Sequence, residues 1–516
     1  MAIAAAEKAK TNPDGMALAD ERQVVTWNQL NPWLNRAANN LVAGPATSGG
    51  RIAVFAPNSV ENAMTYLAAL HAGVSSVPVN FHFTAEEVAY ILTDSGAKMV
   101  FVGPETVAVG REAATMAGID AVVAWRSPPT PGVISLEDWL ATGSEEEPPT
   151  DMTPRPHMHY TSGTTGRPKG TETPPTMFPR VATIADYFDA LKQAFELNGS
   201  RSPGLVVSPM YHTGPLSSVR MLGGGMSLVI ASRFDAEQVL RSIETHKVRT
   251  TMMVPTHFQR LLTLPPEVRA RYDLSSIEMI SHTGAACPRD VKRQMIEWFG
   301  PILVEAYGAT ESGTTNMITS PEWLEKPGSV GKTLAPFELV VVGENGEHLG
   351  ANEVGQLYFR DTTGRGIIYN NDPAKTAAAH REPGVFTLGE IGYADDEGYV
   401  FITDRSSDMI VSGGVNIYPA ETEQVLIQHA GVGDVAVIGA PNAEMGEEVK
   451  ALIVPKDAAA PPTSDDLNAF CRERLAGFKC PRSYEIVPDI GRNAMGKINK
   501  RELRRKYWPS DRTIGG

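Results

Sequence analysis

Between Arg51 and Gly103 the sequence changes its hydrophobic period four times. "RIAVFAPN" reads as a strand and turn, "SVENAMTYLAALHAGV" as a helix, "SSVPVN" as a strand, "TAEEVAYILTDSGA" as a helix and "KMVFVG" as a strand. Short apolar runs alternating with amphipathic stretches predict a parallel sheet with covering helices. The rhythm resumes at "GLVVSPM", "SLVIAS", "AEQVLRSIETHK", "RTTMMVP" and "IEMISHTG". From Val330 to about Phe359 short strands and turns replace it, with hairpin chemistry at Glu344–Gly346. After "GYVFITDR" come a helix ("AETEQVLIQHAG"), two strands ("DVAVIGAP", "VKALIVPK"), a helix ("SDDLNAFCRERLAG") and a strand ("SYEIVPD"). The expected fold is α/β: a large N-terminal domain of parallel-rich sheets with covering helices and a β-rich subdomain, then a small α+β domain of roughly the last hundred residues. "RSPPTPGV" and the acidic "GSEEEPPTDMTPRP" read as surface connections.

Composition removes several function classes. With 42% apolar and 21% charged residues, the 516-residue chain suits a globular protein with a large core. A formal net charge of −14 opposes wrapping a nucleic-acid backbone, so no nucleic-acid partner is expected. Small anionic substrates stay open, because a few cations in a cleft serve them. Cys287, Cys471 and Cys480 form no CxxC pair and cannot all pair off, which points to a reducing, cytoplasmic setting. "MAIAAAEKAKTNPDG" lacks the basic region of a signal peptide. No apolar run approaches the ~18 residues of a membrane span. The oligomeric state is open, and a homodimer is compatible with the chain.

The stretch "YTSGTTGRPKG", Tyr160–Gly170, packs three glycines, two cations and the four hydroxyl side chains between Thr161 and Thr165 together. Glycines let backbone N–H groups converge on an anion, and hydroxyls and a lysine add donors. The chemistry is that of a phosphate cradle rather than an ordinary surface loop. It is not a Walker A loop, since Pro168 precedes Lys169 and Gly170 follows it. "GRNAMGKI", Gly491–Ile498, comes closer, but Ile498 cannot ligate magnesium and only nineteen residues follow Lys497.

"YTSGTTGRPKG" resembles the phosphate loop of the acyl-adenylate-forming superfamily, in its acyl-CoA synthetase branch. "YGATES" (Tyr307–Ser312) resembles that family's second signature, "GYADDEGYVFITDRSSDMIVSGGVNIYPAE" (Gly392–Glu421) its hinge region, and "NAMGKINKREL" (Asn493–Leu503) its C-terminal lysine motif. All four occur in the family's order and spacing, and the likeness extends over nearly the whole chain. The resemblance implies an ATP-dependent carboxylate–CoA ligase. A carboxylate attacks the α-phosphorus of ATP, giving acyl-AMP and pyrophosphate; coenzyme A then takes the acyl group and AMP leaves. It also implies a division into an adenylation domain, 1–404, and a mobile C-terminal domain, 405–516.

The same resemblance assigns residues. Thr161, Ser162, Thr164, Thr165 and Lys169, with Gly163 between them, would hold the β- and γ-phosphates. Tyr307 would stack on adenine, with Glu305, Ala306 and Gly308 beside it. Thr310 would touch the α-phosphate and Glu311 would hold Mg2+. Gly284, Ala285 and Ala286 in "TGAACP" would wall the adenine and acyl group. His212 in "MYHTGP" would stand near the acyl and thiol entry. Arg405 would bind the ribose, and Lys497 would bridge carboxylate and α-phosphate. Lys479 and Arg482 are weaker candidates for coenzyme A phosphates, and the charges of "KRELRRKY" suit a solvated terminal helix.

Two departures stand out. Leu388-Gly389-Glu390 replaces the family's Thr-Gly-Asp, so a carboxylate one methylene longer would meet the ribose. Ser407 occupies a hinge position where Asp or Lys is usual, with Asp408 nearby. Small residues at Gly214, Ser217, Ser218, Ala285 and Gly308 leave room for a medium-chain, aromatic or bulky ring-bearing acid. Other readings are a ligase that loads a separate carrier protein, a luciferase-type oxygenase and a catalytically silent nucleotide-binding regulator.

Overall fold

The computed structural model describes residues 3–47, 49–161, 168–405, 408–412, 415–442, 445–475, 477–493 and 496–508, with Asp404, Arg405, Val411, Val415 and Asn416 described in backbone only. The chain divides into two compact units. The first comprises Met1–Thr283, Gln294–Thr314 and Ile367–Ala379; the second comprises Gly284–Arg293, Thr315–Gly366 and His380–Gly516.

The first unit holds the alternating elements. One sheet is wholly parallel, in the order Ser75–Val79, Arg51–Phe55, Met99–Val102, Val122–Ala124, Ile134–Ser135. Its central strands, Arg51–Phe55 beyond Arg51, Met99–Val102 and Val122–Ala124, are buried, which is why they read as continuous apolar runs. A second parallel set runs Leu303–Ala309, Met279–His282, Thr250–Met253, Gly204–Val206, Leu228–Ile230, Met16–Ala19, with Val24–Thr26 antiparallel at its edge. Helices start where the sequence signals them. Thr84 accepts from the Glu87 N–H while the Glu87 carboxylate accepts from the Thr84 N–H, a capping box that opens Ala85–Ser95. Gly96 ends that helix at φ +69°, a left-handed position that favours glycine.

Among the histidines buried in this unit are His71, His157, His159 and His257. Burial pushes His71, His159 and His257 down to about 3 and holds His157 well below its usual value. Unfolded, each would take a proton near pH 6.5. The unfolded state therefore binds more protons between about pH 6.5 and 3, and stability is lost as pH falls through that window. Urea unfolding at pH 7 and pH 5 is expected to give the lower midpoint at pH 5, and an unchanged midpoint would contradict the burial of these rings.

The second unit is antiparallel in its first part. Phe337–Val342 pairs with Gly355–Asp361 from Phe337 opposite Asp361 to Val342 opposite Gln356. The predicted turn at Glu344–Gly346 forms, with Gly346 at φ +85°, but it sits inside a longer connection rather than joining the two strands directly. Its last part is the expected α+β arrangement. Val432–Asn442 and Gly446–Pro455 form a long antiparallel pair, and Ser483–Ile486 lies parallel to the second. The helix Pro419–Leu426 and the helix Ser464–Arg472 contribute Leu426, Leu467 and Cys471 to one buried cluster with Val435 and Ile453.

One expectation is corrected here. The terminal helix Lys500–Arg505 is not uniformly solvated. Lys500 and Arg504 are buried, and they meet Glu423 at 2.9 Å and Glu447 at 2.6 Å. Two charges pointing inward toward carboxylates turn the helix into a packed element, with Leu503 between them in the core. Among the described residues no helix is long and apolar enough to cross a membrane.

Candidate active site

The glycine-rich stretch is carried on a two-stranded hairpin. Met158–Thr161 runs antiparallel to Lys169–Glu172, and Thr161 stands opposite Lys169. Ser162, Gly163, Thr164 and Thr165 lie outside the described residues. Gly170 permits close packing: a Cβ there would stand 3.1 Å from the Tyr160 ring and 3.2 Å from Asn370. The Tyr160 hydroxyl donates to Asp94 at 2.6 Å. Burial, then that bond, pushes the phenol far above its usual range.

A second segment, Ile367–Ala379, lies along this hairpin. The Asn370 N–H donates to the Gly170 carbonyl at 2.7 Å, and the Thr171 hydroxyl donates to the Ile368 carbonyl at 3.0 Å. The segment brings Tyr369, Asp372 and Lys375, which the sequence did not single out. Asp372 pairs with Lys169 at 2.8 Å and also caps the helix Pro373–Ala378 by accepting from the Lys375 N–H at 2.9 Å. The Tyr369 hydroxyl donates to Glu311 at 2.6 Å, and the Lys375 ammonium lies 4.0 Å from the Tyr369 ring centre. The hydrogen bond between Lys169 and Asp372 raises the lysine and lowers the carboxyl. Burial lowers Lys375, partly countered by the Glu311 charge.

The strand Leu303–Ala309 leads into the second signature. Glu305 is buried, opposite His282 in register, with its carboxylate 3.6 Å from His282 Nε2. Ala306 and Tyr307 follow, half-buried. A Cβ on Gly308 would overlap the Gly313 carbonyl oxygen, so this turn closes only around glycine. Thr310 receives a hydrogen bond from the Thr213 hydroxyl at 3.2 Å. Thr213 opens the helix Thr213–Leu222, and His212 is its N-cap residue. The His212 ring lies 4.3 Å from Tyr211, which meets Phe81 edge-on at 5.7 Å. The first unit thus links Lys169, Asp372, Tyr369, Glu311, Thr310 and Thr213 along one polar surface, with Thr161, His212 and Tyr307 beside them in the chain.

Gly284, Ala285, Ala286, Glu390, Arg405 and Lys497 belong to the second unit. Gly284 adopts φ +91° in the turn after His282. Glu390 is buried and stands opposite Arg405 in the register of Glu390–Ala394 and Tyr399–Arg405, so the two ribose candidates are backbone neighbours. Ser407 lies outside the described residues. Lys497 is exposed on a turn closed by Asn493, whose side-chain oxygen accepts from the Lys497 N–H at 3.0 Å and whose N–H donates to the Lys497 carbonyl at 2.9 Å. Arg492 donates to the Gly496 carbonyl at 2.7 Å while gripping Asp434 at 2.6 and 2.7 Å. Lys479, a weaker candidate, is bidentate on Glu421 at 2.7 Å.

The Lys169–Asp372 pair gives a direct test. Asn caps a helix as well as Asp does, so Asp372→Asn keeps the helix start and removes the charge that competes for Lys169. ATP is expected to bind several-fold tighter, measured by calorimetric titration, and weaker binding would show that Asp372 positions Lys169 instead of restraining it.

The matches to known proteins follow this geometry. The AMP-binding enzyme family matches residues 5–366, and the AMP-binding enzyme C-terminal domain matches residues 421–497. The chain is 32% identical to a feruloyl-CoA synthase of Amycolatopsis sp, over 97% of each chain. It is also 32% identical to the long-chain-fatty-acid–CoA ligase FadD13 of Mycobacterium tuberculosis, over 94% of this chain and 93% of the relative. Among solved structures, ATP-bound MatB from Rhodopseudomonas palustris superposes with a TM-score of 0.81 at 28% identity, over 98% of each chain. The chain belongs to the AMP-binding enzyme family, the acyl-adenylate-forming enzymes. It falls on their carboxylate–CoA ligase branch, and its class is that of AMP-forming acid–thiol ligases using ATP and coenzyme A.

Proposed function

We propose that this chain activates a medium-chain, aromatic or bulky ring-bearing hydrophobic acid and transfers it to coenzyme A. The observation that carries the reading is the single polar surface that joins Lys169 to Glu311, Thr310 and the start of the helix Thr213–Leu222. Lys169 and the hydroxyls of the glycine-rich stretch would hold the β- and γ-phosphates. Thr310 would contact the α-phosphate, where charge gathers as the carboxylate attacks, and Lys497 would meet that charge. Glu390 and Arg405 would share the ribose, Tyr307 would lie against adenine with Glu305 and Ala306 beside it in the chain, and Gly284, Ala285 and Ala286 are candidates to wall the nucleotide. His212 would border the thiol entry.

Among the described residues no group of three His, Cys, Asp or Glu could hold a metal ion. Magnesium does not require one, since it commonly takes one or two carboxylates plus substrate phosphates. Glu311 fits that donor set, and the ion would supply charge neutralisation at the phosphates. The division at 404/405, the homodimer and the cytoplasmic setting remain part of this proposal.

The test is product analysis of the purified protein with ATP, magnesium, coenzyme A and a pooled acid library. An acyl-CoA product is expected. Acyl-AMP without thioester would move the acceptor to a carrier protein, and no product with any acid would overturn the reading.

A further inference from the structure

Arg220 is 5% exposed, on the helix Thr213–Leu222. Its guanidinium donates to the Met177 carbonyl and to the Ser217 hydroxyl, the latter at 2.7 Å. Among the described residues no carboxylate pairs with it. Lys500 and Arg504, comparably buried, each meet a glutamate. Burying a cation without an opposite charge is costly, so such groups are normally paired.

The surroundings do not supply that charge. His157 and His159 are buried beside it, and both are held neutral by burial and by the Arg220 charge. Among the described residues His157 Nε2 has no hydrogen-bond partner, and the His159 ring faces the Tyr211 backbone. This is a buried cation beside neutral imidazoles, with no carboxylate among the described residues to balance it, and an anion would complete that lining.

Its place on the helix connects it to the reaction. Thr213, Ser217 and Arg220 follow the i, i+4, i+7 spacing of one helical face. The Ser217 hydroxyl donates to the Thr213 carbonyl at 2.8 Å, and the Thr213 hydroxyl reaches Thr310. The Arg220 guanidinium lies back over Ser217, so it stands roughly 6 Å along the axis from Thr213 at the helical rise. Gly214, Ser217 and Ser218 on this stretch are small and half-buried.

We propose that Arg220 binds a second carboxylate of the acid substrate, so that the preferred acid is a compact dicarboxylate with a hydrophobic middle. The inference rests on the ligase reading and narrows its acid. One carboxylate is adenylated beside Thr310, and the other neutralises Arg220. The helical spacing sets the carboxyl carbons roughly 6–8 Å apart, the span of one six-membered ring or a few methylenes.

The experiment compares α,ω-dicarboxylates with monocarboxylates of equal length in ATP–pyrophosphate exchange, for the native chain, Arg220→Met and Arg220→Lys. The native chain is expected to favour the diacid at least about tenfold in kcat/KM. Arg220→Met is expected to reverse that preference, and Arg220→Lys to retain part of it, because lysine keeps the charge and loses the fork. Equal preference in native chain and Arg220→Met overturns the proposal. The melting temperature supplies a second readout. A cation retained for a ligand is expected to be replaced by methionine with no loss of Tm, whereas a structural cation would cost stability. If no acid supports exchange, the ligase reading fails by itself. The subsite is then judged by diacid binding in calorimetry: binding lost in Arg220→Met supports it, and absent or unaltered binding overturns it.

Discussion

Lys497→Ala is expected to lower acyl-adenylate formation by about 10²–10³-fold, the usual cost of removing one aimed donor from developing charge. The local structure makes this loss interpretable. The turn that carries Lys497 is closed by bonds of Asn493 to the Lys497 backbone and by Arg492 on the Gly496 carbonyl. Alanine leaves every one of those bonds in place, so the variant removes the ammonium and keeps the turn. In the second half-reaction the thiol attacks the acyl carbon instead of phosphorus, so charge builds on the carbonyl oxygen and on the departing AMP, and no bond forms at phosphorus for Lys497 to assist. Thioester formation from synthetic acyl-AMP and coenzyme A is therefore expected to change less than about fivefold. Single-turnover assays of the two steps separate the outcomes. Equal loss in both steps would make Lys497 a general structural element, and no loss in the first would remove it from the mechanism. Asn493→Ala is the complementary variant, because it keeps the ammonium and loosens its turn.

How far the site could be read from sequence depends on whether its residues are neighbours in the chain. The parallel strands from Arg51 to Val102 were legible because burial on both faces leaves continuous apolar runs. Lys169, Thr310 and Glu311 could be put forward as candidates because each sits in a dense local cluster. Tyr369, Asp372 and Lys375 were not. "YNNDPAKT" looks like a polar turn before a short helix, and nothing local shows that Asn370 and Thr171 fasten it against the hairpin two hundred residues earlier. Its Asp-Pro pair did announce a helix start, but a helix start alone carries no chemistry. Arg220 was hidden differently. One arginine in "HTGPLSSVRML" reads as a surface charge, and only the fold shows that it faces inward. The terminal helix failed for the same reason, since Lys500 and Arg504 find half-buried glutamates from distant strands and helices.

Glu311→Gln is expected to reduce adenylation by about a hundredfold or more and to raise the magnesium concentration needed for half-maximal rate. The substitution is nearly isosteric. The glutamine oxygen can still accept from the Tyr369 hydroxyl, which donates to Glu311 at 2.6 Å. What disappears is the negative charge, and a magnesium ion held between Glu311 and the substrate phosphates would lose one of its charged oxygen ligands. Tyr369→Phe separates the two contributions. It keeps the carboxylate charge and removes the bond that orients it, so its loss is expected to be nearer three- to tenfold, with little change in magnesium requirement. Initial rates of pyrophosphate release against magnesium concentration distinguish these cases. If Glu311→Gln lowers the rate no more than Tyr369→Phe does, and at the same magnesium requirement, the carboxylate orients the turn instead of holding the ion. The nearby cation adds a further expectation. Lys375 lies over the Tyr369 ring, and its ammonium is disfavoured by burial and favoured by the Glu311 charge. Removing that charge leaves the buried ammonium with less support, so Glu311→Gln should lower the Lys375 pKa further. Its amine would then be modified faster by an amine-reactive label at mildly alkaline pH, a shift that mass mapping can read without any turnover.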